Sequence, residues 1–200
     1  MKNSINYRPA TKEDVLEIAT YLDIAMEGIF QVYFNGIVPD VDYFQLMSGW
    51  LSDDSQYYSY PNVILAEDES RIVGCLMYYD SDHFAPSEEM KQFLPEDRYN
   101  WLNQYYEIGV PKSLYIESLA VHEGYRSHGI GKHLIELAIE YAKKSDLDKL
   151  SLFVFEENAG GQRFYEREGF KLVNKFNLES YEFLEPTSNR VGSRLMVMDL

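Results

Sequence analysis

The stretch Val121-His122-Glu123-Gly124-Tyr125-Arg126-Ser127-His128-Gly129-Ile130-Gly131-Lys132 packs three glycines and one arginine into twelve residues. It joins an apolar run ending Leu119-Ala120-Val121 to a second apolar run that starts at Ile130. Glycines let a backbone curl so that successive N–H groups point into one concavity, and a helix starting there adds its partial positive charge. Such a nest binds a phosphate or a pyrophosphate. Arg126, just outside the helix, can add a charge-assisted bond. Two other phosphate motifs fit poorly. A Walker A loop needs Ser or Thr after Gly131-Lys132, where His133 stands, and a dinucleotide fingerprint needs a small residue where Leu134 stands. The competing reading is a glycine-bearing strand-to-helix turn that holds no ligand.

Other reactive side chains read as structural. Cys75, the only cysteine, follows Gly74 within Ile72-Val73-Gly74-Cys75-Leu76-Met77 and is expected to be inert core packing. His128 sits in the glycine turn and His133 on the following helix, where both are expected to be solvated. Four histidines and one cysteine show no metal-ligand spacing, so no metal is expected.

The elements that must position this turn are legible around it. Leu114 to Val121 reads as a strand, and Ile130 to Lys144 as a helix with Ile130, Leu134, Leu137, Ala138 and Tyr141 on its buried face. Lys143 and Lys144 suit the negative end of that helix. Leu150 to Phe155 is a buried strand. Asn158 caps a short helix carrying Phe164 and Tyr165, and Gly169 supplies a left-handed exit. Strands at Phe170 to Asn174 and Arg194 to Asp199 close the chain. Upstream, Ile5 to Arg8 is a short strand, and Thr11 with Asp14 marks a helix start whose buried stripe is Val15, Ile18, Ala19 and Leu22. Val63 to Ala66 and Arg71 to Tyr79 form a hairpin. The segment from about Ala25 to Tyr60 is aromatic and irregular, apart from a helix near Tyr43 to Trp50. The connection 80–113 carries Pro86, Pro95 and Pro111 with Tyr99, Trp101, Tyr105 and Tyr106, and is expected to hold a short helix and to cover something.

Composition sets outer limits. At 46% hydrophobic and 26% charged residues, 200 residues make one soluble globular domain, here 1–200. The net charge of −15 opposes binding to nucleic acid or to an anionic membrane. It favours a cationic partner, unless it serves solubility alone. The first residues lack an apolar leader and no run is long enough to span a bilayer, so a cytoplasmic location is expected by default.

Arg126-x-x-Gly129-x-Gly131, placed after Leu119-Ala120-Val121, resembles the coenzyme A pyrophosphate loop of the GNAT N-acetyltransferase superfamily. Asn158-Ala159 and Phe164-Tyr165-Glu166-Arg167-Glu168-Gly169-Phe170 resemble its second signature, in order and at the expected spacing. The likeness is strong over 114–170, compatible for Ile5 to Leu22 and Val63 to Tyr79, and absent from the two aromatic stretches. It implies an α+β fold, an α/β/α sandwich whose mixed, mostly antiparallel twisted sheet splays at its centre. It divides the chain into a cofactor-binding core, 114–170, and an insertion, 80–113.

The same resemblance implies the chemistry. Acetyl-CoA would donate an acetyl group to a primary amine of a small molecule or peptide by direct attack in a ternary complex. Leu119, Ala120 and Val121 would meet the pantetheine arm with free strand groups, and a strand N–H near Leu119 would hold the developing oxyanion. Arg126, Ser127, His128, Gly129, Ile130, Gly131 and Lys132 would hold the pyrophosphate, and Asn158 the arm or its helix. Tyr165 matches the family's general acid. Strand alternation puts Tyr115, Glu117, Leu119 and Val121 on one face, which makes Glu117 the acidic residue best placed to act as base or to position the ammonium. Some relatives carry the base two residues earlier, where this chain has Tyr115. A catalytically weak acetyl-CoA sensor of the same fold is the alternative function. The acidic residues Asp80, Asp82, Glu88, Glu89 and Glu107, with Tyr105 and Tyr106, point to a cationic acceptor. The oligomeric state stays open, with a homodimer common among relatives.

Overall fold

The computed structural model describes residues 4–85, 88–177 and 192–200. Pro86 lies outside them. The elements in chain order begin with β1 (Asn6–Pro9), α1 (Val15–Ala25), α2 (Ile29–Phe34), α3 (Tyr43–Leu51), β2 (Val63–Asp68) and β3 (Arg71–Asp80). They continue with α4 (Glu88–Phe93), α5 (Glu96–Tyr106), β4 (Ser113–Val121), α6 (Ile130–Lys144), β5 (Lys149–Phe155), α7 (Ala159–Glu168), β6 (Lys171–Asn177) and β7 (Gly192–Asp199). The strands form one seven-stranded sheet in the order β1-β2-β3-β4-β5-β7-β6. Among the described residues only β4–β5 is parallel; the other pairs are antiparallel.

Each face of the sheet carries its own core. On one face Ile18, Leu22, Ile29, Met47 and Leu51 of α1, α2 and α3 pack with Leu65, Met77 and Trp101. On the other, Ile130, Leu134, Ile135 and Ala138 of α6 pack with Leu76, Leu114, Ile116 and Leu152. This is the expected α/β/α sandwich, and its mixed, mostly antiparallel sheet is the expected one.

Local signals explain most boundaries. Thr11 and Asp14 form the reciprocal capping box, and Arg8 Nη1 reaches Asp14 Oδ2 at 2.7 Å. The chain enters α1 through a single 3-10 turn over Lys12–Asp14. Gly169 takes φ +104 at the end of α7. Three expectations change. The stretch read as irregular contains α2, whose sequence IFQVYF has no polar face to give a helical period; burial of Ile29, Phe30, Tyr33 and Phe34 stabilises it instead. Among its described residues the 80–113 connection holds two α-helices, α4 and α5, rather than one. On α6 the buried residues are Ile130, Leu134, Ile135, Ala138 and Ala142, while Tyr141 is exposed, because the sheet meets the helix on a face rotated toward Ile135.

Two irregularities of β4 shape the middle of the sheet. Opposite β3, Met77 pairs with Ser118 and Tyr78 with Ile116, so Glu117 is an extra residue in its strand, a β-bulge. Below the bulge Leu114 and Ile116 point into the α6-side core; above it Leu119 and Val121 do. The parity has flipped by one. Opposite β5, pairing runs only from Ser113↔Lys149 to Ile116↔Leu152. Beyond that point β4 and β5 diverge, while β5 stays paired to β7 through Phe155↔Ser193. This is the splay, and the backbone of residues 117–121 faces it.

Candidate active site

Three adjoining cavities run through this opening. A groove of about 670 Å³ lies between the α6 turn and α7. A central cavity of about 120 Å³ fills the gap between Ile116–Leu119 on β4 and Phe153–Phe155 on β5. A third, of about 290 Å³, extends toward α2, α3 and α4. Leu119, Asn158 and Tyr165 belong to the walls of both groove and central cavity. Glu117 and Tyr79 belong to the walls of both the central and the third cavity.

The groove is built by the glycine turn. Ser127 and Gly129 both take positive φ, +64 and +85, which curls the backbone between them. Gly129 N-caps α6 with no side chain accepting from the first turn, whose N–H groups lack intrahelical partners. A Cβ on Gly129 would project into open space, so its conformation, rather than crowding, selects glycine there. A Cβ on Gly131 would lie 3.1 Å from Phe164 Cζ of α7, so that glycine lets the two helices approach. Asn158 caps α7, its Oδ1 accepting from Gly161 N at 2.7 Å. The predicted residues Leu119, Ala120, Val121, Arg126, Ser127, Gly129, Ile130, Gly131, Lys132 and Asn158 all line the groove. His128 does not; its Nδ1 lies 2.8 Å from Arg126 O. Arg126 Nε donates to Val121 O at 3.2 Å and the side chain stays exposed.

The bulge aims Glu117 at the centre. Tyr79 Oη donates to Glu117 Oε2 at 2.7 Å. Burial among aromatic walls raises the Glu117 carboxyl to about 7, against the opposing effect of that hydrogen bond. Tyr165 is half-buried, edge-on to Phe164 and Phe170 with ring centroids 5.2 and 5.6 Å away. Burial pushes its phenol above the usual range, so it keeps its proton throughout the neutral range. The alternation argument that placed Tyr115, Glu117, Leu119 and Val121 on one face fails at the bulge. Tyr115 packs among Tyr79, Phe84 and Phe153, whereas Leu119 and Val121 pack against the α6-side core.

Cys75 is buried and its thiol is pushed up by burial, consistent with the inert role expected of it. His128 and His133 are exposed, His133 Nδ1 pairing with Glu136 at 3.1 Å. Among the described residues no group of His, Cys, Asp and Glu is arranged to hold a metal, and no helix is long and apolar enough to cross a membrane. Sequence reasoning missed Tyr79, Tyr58, Phe30 and Gly161. A Cβ on Gly161 would come 2.9 Å from Asn158 Oδ1, and the pair Asn158–Gly161 at capping distance was the signal available for it. The aromatics gave none, because they reach the site from separate elements.

Comparison with known proteins bears on this arrangement. N-alpha-acetyltransferase 30 of Saccharomyces cerevisiae is 41% identical over 56 residues, 28% of this chain and 32% of that protein. An uncharacterized N-acetyltransferase of Methanocaldococcus jannaschii is 39% identical over 72 residues, 36% of this chain and 30% of that protein. The matched segments thus span about a third of these curated relatives. The crystal structure of an N-acetyltransferase from Staphylococcus aureus Mu50 shares the fold with a TM-score of 0.68 and 18% identity, over 96% of this chain and 100% of that one. Residues 24–170, which contain the bulge, the splay, the glycine turn and α7, match the family model of the GNAT acetyltransferases, and the chain belongs to that family.

Proposed function

We propose that the protein transfers an acetyl group from acetyl-CoA to a primary amine by direct attack, with both substrates bound. The observation that carries this reading is the order of the cavities. Tyr165 stands where the groove meets the central cavity, and Glu117 stands where the central cavity meets the third. The solved NatC complex, of the same fold at a TM-score of 0.56, holds CoA and a peptide, in keeping with a two-substrate site.

Residues of the groove fit the cofactor's chemistry. The open first turn of α6, the curled backbone from Ser127 to Gly129 and the exposed Arg126 suit a pyrophosphate. The strand groups of Leu119, Ala120 and Val121, free of β5, suit an amide-bearing arm. Acetyl-CoA supplies an activated thioester. In the balanced reaction the bound ammonium passes one proton to Glu117, and the freed amine nitrogen replaces sulfur on the acetyl carbon. The leaving thiolate takes a proton from Tyr165, and the second proton shed by the nitrogen restores the Tyr165 phenol. A carboxylate whose pKa burial has raised to about 7 can seat an ammonium and then take its proton, which frees the amine to attack. Residues 1–200 act as one acyltransferase unit in this reading, with 80–113 walling the acceptor side.

The test is CoA release and product mass when the protein is given acetyl-CoA and a broad panel of primary amines. Acetyl-CoA binding with no amine acetylated by any member would refute the transfer reading and favour a sensor of the same fold.

A further inference from the structure

The third cavity, beyond Glu117, has walls that are mostly carbon. Phe30, Phe34, Trp50, Tyr58, Met90 and Phe93 line it, drawn from α2, α3, α4 and the loop before β2. Trp50 meets Phe34 and Phe93 edge-on, with ring centroids 5.2 and 5.3 Å apart. Its volume of about 290 Å³ lies just below the usual small-molecule range, which begins at about 300 Å³.

The charges on these walls all have one sign. Glu117 stands at the inner end, and the exposed Asp53 and Glu89 stand at the rim. No Lys, Arg or His lines this cavity or the central one among the described residues. Asp80, Asp82, Glu88 and Glu107, on which the expectation of a cationic acceptor partly rested, line none of the three cavities. One ammonium can therefore pair with Glu117, but a substrate carboxylate beside it would be buried with no counter-charge. A further ammonium or hydroxyl on the stretch between Glu117 and the rim would face the aromatic rings, which leaves it unsatisfied. The Tyr58 hydroxyl is buried without a protein partner on this wall, while the Tyr33, Tyr57 and Tyr79 hydroxyls there already donate to Arg98 O, Ala85 O and Glu117 and have no proton left for a peptide main chain.

We propose that the acceptor is an aralkylamine: a single primary ammonium on a short chain bearing an aromatic ring, with no carboxylate. This rests on the transfer reading above and names its substrate. The ammonium seats at Glu117 and Tyr79, and the ring fills the space between Trp50, Phe34 and Phe93. The rim carboxylates raise the local concentration of cations and repel acids.

The experiment measures both binding and turnover with the full chain, using calorimetry on the CoA-saturated protein and CoA release with acetyl-CoA. The probes are phenylethylamine, phenylalanine, phenylalanine amide, spermidine and a short peptide amide beginning with Phe. Phenylethylamine is expected to exceed phenylalanine in kcat/KM by about a hundredfold or more, the scale of a buried unpaired charge, and phenylalanine amide to recover most of the gap. Phe93→Lys, at a half-exposed wall position, is expected to weaken phenylethylamine and to narrow its lead over phenylalanine. Binding of phenylethylamine without acetylation leaves the pocket assignment standing and defeats the transfer reading. Acetylation of spermidine or the peptide in preference to phenylethylamine overturns the aralkylamine assignment while keeping transfer. Absence of phenylethylamine binding overturns the assignment whatever the turnover.

Discussion

Tyr79 Oη donates to Glu117 Oε2 at 2.7 Å beside the register shift that makes Glu117 the extra residue of β4. The bulge turns the carboxylate out of the ladder and the phenol from the neighbouring strand fixes it. Burial and this hydrogen bond then act on its proton in opposite senses, burial being the larger. Tyr79→Phe removes the effect that lowers the Glu117 pKa. The acidic limb of kcat/KM is therefore expected to move to higher pH from its position near 7, with activity retained on the alkaline side. A pH–rate profile that does not move would show that Glu117 is not the group titrating.

Glu117→Gln is expected to lower kcat by about a hundredfold or more and to abolish the acidic limb. It also makes a prediction about stability. The folded pKa, about 7, lies above the ordinary 4.5, so this group's relative contribution to stability is fully present below about 4.5 and lost as pH rises through about 7. Glutamine has no charge to bury. The variant should accordingly gain in Tm over the wild type at about pH 8 and show a smaller difference at about pH 4.5, measured by thermal melts across that range.

Tyr165→Phe is expected to lower kcat by about ten- to a thousandfold with CoA affinity near wild type, because the ring contacts with Phe164 and Phe170 survive the change. Loss of CoA affinity equal to the loss in rate would make the residue a wall of the groove and no acid.

The two loop glycines should fail for different reasons. Gly129→Val meets open space but must hold φ +85, a strain of about 1–2 kcal/mol, and its branches project toward the groove. Gly131→Val pushes on Phe164, whose ring is 3.1 Å from the new Cβ, and so on the α6–α7 contact. Both should weaken CoA severely, Gly131→Val with the larger drop in Tm. Arg126→Ala should cost about 1.5–3 kcal/mol of CoA binding, because an exposed guanidinium supplies one charge-assisted bond. Calorimetric titration with CoA, paired with melts, separates these effects.

What the sequence determined by itself was local. Gly129 marked a curled turn because few other residues tolerate its backbone, and Gly131 marked a close approach. Thr11 with Asp14, Asn158 and Gly169 announced helix ends through caps a few residues long. The amphipathic period of Ile130 to Lys144 marked α6, although the face it buries is rotated from the one read from the sequence. The resemblance built on these residues carried the family, and with it the sandwich. The tertiary structure decided what depends on distant pairing. Nothing near Glu117 announces a bulge, since the extra residue exists only relative to Met77 and Tyr78 on β3, and that single insertion turned a two-residue period out of phase. Likewise Phe30, Trp50, Tyr79 and Phe93 share a cavity although they are separated along the chain, so no window of sequence could assemble its walls. The net charge of −15 counted acidic residues without locating them. Only the fold set Glu117 within the cavities and left Asp80, Asp82, Glu88 and Glu107 off their walls, because burial belongs to packing and not to composition.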